Sequence, residues 1–333
     1  MKKSYLLVLL IIVLSISLIL PLVSCKDKKE PETPEDPVIP YEYVDGSTIY
    51  IVMGEYPQSL VKDIAISDIK SGAYDETTGY YTYNDNKYKI VTAHSCNTVS
   101  NKVFTNGDEV VDGQEYAFLV EPIVWKILNK NLGDDYHFVY SNVILDTAIF
   151  QKQENIGRSS TGIKNYYLYD EDGDLAISQE IYANNWQYSE LRNTLTKFYN
   201  LAFTKDNKTA IRLSTISNSS DDSDLDYFPS HQQDTQEYVF CLSKKEATNS
   251  RYGFTEEDKE KRLRPVTDYA IANGAFFVNR SGKLYGYAWT RTAASASNTV
   301  YKVSTQGEMT ESIISDDNDF RVGYAPGMKI NKL

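Results

Sequence analysis

The sequence predicts an α+β fold class: an irregular domain of short antiparallel strands with one long central helix and two shorter helices. Three observations predict it. Tyr- and Val-rich runs separated by turn residues fill the first half of the chain. A single strongly amphipathic stretch, Asn185–Phe203, lies midway. Beyond Gly274 the chain returns to short apolar runs punctuated by Gly282, Gly286, Gly307, Gly323 and Gly327.

The first residues are a targeting segment and not part of that fold. Lys2 and Lys3 precede an apolar run from Tyr5 to Leu20, and Leu22-Val23-Ser24-Cys25 has the form of a bacterial lipobox. Residues 1–24 therefore read as a signal peptide and Cys25 as the lipidation site, which makes the membrane a partner through the lipid anchor and the cell envelope the location. The competing reading is an uncleaved membrane span, which a run of this length just permits. Residues 25–40, beginning KDKKEPETPEDP after Cys25, are charged and proline-rich and read as a solvated tether. Residues 41–333 contain no second such break and read as one globular domain.

Within that domain, Ser47–Met53 is β-branched and aromatic and predicts a strand that ends in a turn at Gly54–Gln58. Two Tyr-rich pieces between Asp75 and Thr92, split at Asp85-Asn86-Lys87, predict a hairpin. After the Asp112-Gly113 turn, Tyr116, Phe118 and Val120 alternate and lead into an apolar strand around Trp125; Tyr136–Ile144 is its antiparallel neighbour. Gln151–Gln179 reads as loop. It contains Tyr169–Asp174, whose glycine falls in the wrong place for an EF-hand.

The long helix follows: Leu191, Leu195, Phe198, Tyr199 and Ala202 fall on one face, and Ser189 stands at the N-cap with Glu190 in the first turn. Lys208–Leu213 reads as a short strand, Asn218–Asp226 as an acidic loop and Tyr238–Leu242 as a strand. Ser243 and Glu246 have the capping-box spacing of a short helix, and Thr267–Ala272 predicts another that stops at Asn273-Gly274.

Composition excludes more than it selects. The net charge of −12, or −14 without Lys2 and Lys3, gives no basic stripe for nucleic acid. Cys96 and Cys241 are compatible with one disulfide or with two free thiols, and His94, His137 and His231 lack metal-ligand spacing, so no metal or cofactor is expected. The 27 tyrosines suit half-wet strands and surfaces that meet carbohydrate or protein.

Several landmarks together resemble an uncharacterised bacterial domain family found on secreted and lipid-anchored proteins. They are Gly54, Tyr56, Pro57 and Gln58; Glu121, Pro122, Ile123, Trp125 and Leu128; Ile144, Leu145 and Asp146; Trp186, Ser189, Leu191, Arg192, Leu195, Asn200 and Phe203; Leu242, Ser243 and Glu246; Thr267, Asp268, Tyr269 and Ala270; and Trp289 with Arg291. The resemblance spans Ile51 to Ile330. The family's closing arginine-proline run is absent here, where Gly323-Tyr324-Ala325-Pro326-Gly327 stands, with Arg321 nearby as a stand-in. The ending also resembles, more distantly, C-type-lectin-like folds, including the sulfatase-modifying-enzyme branch. That likeness implies an irregular α+β domain and carries no function by itself.

Candidate ligand-binding residues are Trp289 and Arg291, read as a clamp, and the acidic Asp316, Asp317 and Asp319. Each has a plainer reading. Trp289 and Arg291 equally suit a buried Trp beside a structural arginine paired to a carboxylate, and Asp221–Asp226 and Asp316–Asp319 equally suit solvated loops. No catalytic triad, carboxylate pair, phosphate loop or dinucleotide fingerprint is recognisable, and the oxidase reading would require a reactive cysteine pair near Trp289. The sequence thus predicts a non-catalytic ligand-binding or adhesion module with a glycan or protein ligand, and as alternative an envelope hydrolase or oxidase with a loop-built site.

Overall fold

Two strands of 13 residues each form the spine of the fold, β2 (Thr48–Leu60) and β6 (Glu115–Ile127), paired antiparallel with Ile51 opposite Trp125. The Trp125 indole N–H donates to the Met53 carbonyl at 2.8 Å, so the largest side chain of the spine is both buried and satisfied. The structure, a computed structural model, describes residues 40–152, 156–158, 164–166, 181–218, 233–296, 298–314 and 321–333. The expected signal peptide and most of the tether, Cys25, Tyr169–Asp174, Asp221–Asp226, and Asp316, Asp317 and Asp319 lie outside those residues. Among the described residues no helix is long and apolar enough to cross a membrane.

The fold is mixed and strand-rich, with largely antiparallel sheets and few helices. On its free edge β6 takes β5 (Asn86–Thr92) near its start and β7 (Tyr136–Ser141) near its end. β4 (Tyr80–Tyr83) and β3 (Ala73–Asp75) extend the sheet past β5, and β1 (Tyr41–Asp45) covers the outer edge of β2. A C-terminal strand, β21 (Gly327–Asn331), returns to pair with β7, and β14 (Val239–Phe240) closes that end. A second sheet runs β19 (Met309–Ile313), β18 (Thr299–Val303), β17 (Ala288–Ala293), β20 (Gly323–Tyr324), β8 (Asp146–Thr147), with β17 and β20 parallel.

The predicted hairpin at Asp75–Thr92 forms as β4 and β5, and its turn residues Asn84 and Asp85 hold φ of 48° and 61°, the left-handed region that Asn and Asp tolerate. The predicted end of the first strand is corrected. β2 does not stop at Gly54 but continues to Leu60, with register shifts at Val52/Glu55 and Pro57/Leu60. Gly54 lies in the first irregularity, while Pro57 is held in register opposite Val120 with the second following it at Gln58 and Ser59; such bulges let a strand accept residues that would break a regular ladder. Gly54, at φ 74°, is also where the spine meets helix: a Cβ there would lie 2.6 Å from the Phe203 ring.

Five α-helices occur among the described residues: α1 (Ile66–Lys70), α2 (Glu190–Ala202), α3 (Lys205–Ala210), α4 (Lys244–Ala247) and α5 (Asp268–Ala272). The expectation of two shorter helices beside the long one is corrected to four, of four to six residues each. The expected strand at Lys208–Leu213 is one of the differences. Thr204 caps a helix by accepting from the Asn207 N–H at 3.2 Å, and the sheet is reached only after it, where Ile211 bridges to Ile330 and Arg212 N–H donates to the Lys329 carbonyl.

The local cap signals hold at the other ends. Ser189 accepts from Arg192 N–H, the Ser243/Glu246 box is complete, and Thr267 accepts from Ala270 N–H. On α2, Leu191, Leu195, Phe198 and Ala202 are buried against the spine, with Phe198 edge-on to Tyr56 at 5.1 Å. Arg192 on the same helix donates to Glu237 at 2.5 Å, and the Trp186 indole reaches the same carboxylate oxygen.

Candidate functional site

Trp289 and Arg291 are neighbours on β17, and both are occupied inside the fold. The Trp289 indole donates to the Ala148 carbonyl at 2.8 Å and its ring meets Phe150 edge-on at 5.8 Å. Arg291 makes a fork to Glu246, with N···O of 2.5 and 3.1 Å, and donates to the carbonyls of Cys241 and Ser217 and to Asn218 Oδ1. Glu246 also closes the capping box of α4 by accepting from Ser243 N–H. The arginine therefore ties the second sheet to that helix start. Cys96 and Cys241 are both buried and form no disulfide with each other, and burial pushes the Cys241 thiol up to about 12, which makes it inert as a nucleophile.

A cluster that sequence reading did not assemble surrounds Asp146. Its carboxylate accepts from Thr147 N–H at 2.7 Å, from the Asn273 amide at 2.9 Å and from the Tyr56 hydroxyl at 3.0 Å. Tyr56 and Tyr324 share a hydrogen bond of 3.2 Å, and Tyr269 stands edge-on to Tyr56 at 5.7 Å. Four separate elements converge here: β2 brings Tyr56, β8 Asp146, α5 with its C-cap Tyr269 and Asn273, and β20 Tyr324.

Burial raises the Asp146 carboxyl to about 6, against the opposing pull of its three hydrogen-bond donors and of Arg321. Burial, and then the charge of Asp146, raises the phenols of Tyr56, Tyr269 and Tyr324 as well.

The sign of the resulting pH dependence follows directly. Below the ordinary aspartate value of 3.8 the folded and unfolded chains both carry the proton, and between there and about 6 only the folded chain keeps it. Stability from this group therefore falls as pH rises through that window. Asp146→Asn removes the loss, since its Nδ2 can donate to the Tyr56 hydroxyl while that hydroxyl turns its own proton to Tyr324. The variant is expected to be more stable than the parent at pH 7.5 by on the order of 2 kcal/mol and equal to it below pH 4, as read by thermal melts across pH.

A cleft of about 370 Å³ opens beside this cluster, between β2, β4, β5 and the turn that joins α2 to α3. Gly54 and the Phe203 ring beside it line the cleft together with Tyr80 and Asn207 in its walls. Glu55 and Asp75 stand at its rim, and each has hydrogen-bond partners. Lys87 pairs with Glu55 at 2.7 Å, while Asp75 accepts from Thr77 N–H and the Thr78 hydroxyl, bonds that hold its carboxyl below the usual range.

Two polar groups in the walls have no such partner. Asn207 is only 4% exposed, and among the described residues its side-chain amide makes no hydrogen bond to the protein. Tyr80 is 5% exposed and its hydroxyl, shielded from solvent, is also unpartnered. Its phenol is raised by burial and then by Glu55 and Asp146, which places it electrically between the cleft rim and the Asp146 cluster.

An orphaned buried hydroxyl costs about 1 to 3 kcal/mol. Tyr80→Phe is therefore expected to melt higher than the parent, by about 1 kcal/mol in stability; a lower melt would show a hydrogen bond that the native fold depends on.

No curated protein matches the chain. No solved structure matches it either. Residues 146–324 match the family described as "Domain of unknown function (DUF6273)", a span of just over half the chain that holds Asp146, Tyr269, Asn273 and Tyr324, and the chain belongs to that family.

Proposed function

We propose that this chain is a bacterial surface lipoprotein whose folded part is a non-catalytic ligand-binding or adhesion module. It is held to the membrane outside the cytoplasm by lipid on Cys25 and takes a glycan or protein ligand through the Gly54–Phe203 cleft. The observation that carries binding is Asn207, 4% exposed, which lines the cleft with an amide that makes no hydrogen bond to the protein among the described residues, beside the orphaned buried hydroxyl of Tyr80: buried polar groups are normally satisfied, and an exception calls for a reason. The lipobox and the charged tether support the anchor.

The finer family landmarks and the C-type-lectin-like kinship belong to the same proposal. Their support is that Tyr56, Asp146 and Tyr269 meet in one cluster, and that β21 returns into the sheet built by the N-terminal strands. A glycan, peptidoglycan and protein array of the full chain tests binding, with specific retention and no turnover as the expected result. Mass spectrometry of the membrane fraction tests the anchor. It should find a diacylglyceryl-modified Cys25, and an intact Met1 would sink that part.

A second reading, an envelope enzyme, is favoured by one observation: the Asp146 carboxylate meets the Tyr56 hydroxyl, itself bonded to that of Tyr324, a chain of proton-carrying groups in which burial raises the carboxyl to about 6. Product formation on the array, abolished by Asp146→Asn, would select it.

A further inference from the structure

We infer that the Gly54–Phe203 cleft takes a neutral, hydroxyl-bearing sugar unit that carries an amide, an N-acetylated pyranose. This rests on the ligand-binding reading and names the ligand's chemistry. Charge stays at the cleft rim, where Glu55 is paired with Lys87 and the exposed Asp75 carries its charge in solvent, bonded by Thr77 N–H and the Thr78 hydroxyl. An ion drawn past that rim would lose water, and the nearly buried Asn207 and Tyr80 it would meet carry no charge to repay it.

What the depth offers instead is neutral and two-sided. The Asn207 amide has two donors and one acceptor to give, a set that matches sugar hydroxyls or an acetamido group. Tyr80 and Phe203 add aromatic surface against which the C–H face of a pyranose ring packs. The volume of about 370 Å³ lies at the lower end of the range for ligand pockets, which suits a small unit and not an extended chain. Gly54 keeps the lining beside it clear, since a side chain there would collide with Phe203.

Three other features carry less. Lys302, buried and lowered to about 8, is held by Ser312 and the Tyr287 ring within the second sheet. The hollow at His94, Asp112 and Arg321 is open, and Asp112 is occupied by Ser95 and Lys102. The groove at Val99, Val103 and Phe277 is apolar, with nothing to indicate an occupant.

The test is titration calorimetry of the full chain in detergent micelles with N-acetylglucosamine, with soluble peptidoglycan fragments, and with the diamine cadaverine. Heat of binding is expected with the sugar and none with the amine, and the peptidoglycan arm shows whether the unit is read free or within a polymer. Asn207→Asp keeps the shape and removes the donors, and should weaken sugar binding about tenfold. Thr82→Trp, at an exposed rim position on β4, should block entry altogether and decides the matter if the Asn207 variant does not fold.

Amine binding without sugar binding, or sugar binding unchanged in Thr82→Trp, overturns the inference. If no sugar binds while the array still retains the parent, the inference falls and the binding function stands. If nothing is retained anywhere, both fall.

Discussion

Arg291→Ala is expected to cost about 3 to 5 kcal/mol, the largest loss of any single substitution considered, because it leaves a charge behind. The guanidinium side chain is 3% exposed and makes five hydrogen bonds, two of them to Glu246, whose side chain is itself only 21% exposed. Without it, Glu246 keeps its bond from Ser243 N–H but loses its counter-charge, and the carbonyls of Cys241 and Ser217 lose their donor. Arg291→Lys restores the charge and not the planar fork, so it should fall between alanine and parent. Thermal melts of the three proteins measure this directly. A parent-like melt for Arg291→Ala with ligand retention lost would instead return Arg291 to a place in a ligand clamp.

Leu195→Ala follows, at about 2 to 5 kcal/mol, the transfer energy of a buried leucine together with the cavity it leaves. Leu195 is wholly buried on the face of α2 that also presents Leu191 and Phe198, and Phe198 packs against Tyr56, Phe203 and Tyr324. Damage there reaches the spine and the lining of the cleft together. Lys197, with 79% of its side chain exposed and a loose 3.9 Å approach to Glu190, is the control, and Lys197→Ala should melt with the parent. Since a domain commonly holds about 5 to 15 kcal/mol in all, the leucine variant should melt far lower. Equal melts for the two variants would show that this stripe is not core.

The parts of this fold that could be read in the sequence are those fixed by neighbours in the chain. Ser189, Ser243 and Thr267 each cap a helix through a group three residues away, and the hairpin is where it was expected, with its turn at Asn84-Asp85 instead of Asp85-Asn86-Lys87 because the first two tolerate the left-handed region while Asn86 and Lys87 pair in β5. The parts misread are those where the rest of the molecule overrides a local signal. Gly54 and Pro57 look like strand breakers, and the pairing of β2 with β6 accommodates both, Gly54 inside an irregularity and Pro57 in register opposite Val120 just before another. α3 has no apolar period of its own, and only the Thr204 cap announces it.

The candidate site was hardest to see for the same reason. Tyr80 and Asn207 sit at the start of a strand and on a short helix far apart in sequence, and neither belongs to a motif. Their one distinguishing property, a polar group without a partner, exists only after folding. Tyr56, Asp146 and Tyr269 were visible as separate landmarks, but their meeting depends on four elements coming together.

The measurement that bears most directly on the cleft as the binding site is the array run side by side with the full-length parent and Thr82→Trp. Thr82 is exposed at the cleft rim, so the variant should fold and melt as the parent does while its retention on every positive spot disappears. Retention that survives in a well-folded Thr82→Trp would place the ligand elsewhere on the molecule and contradict the account.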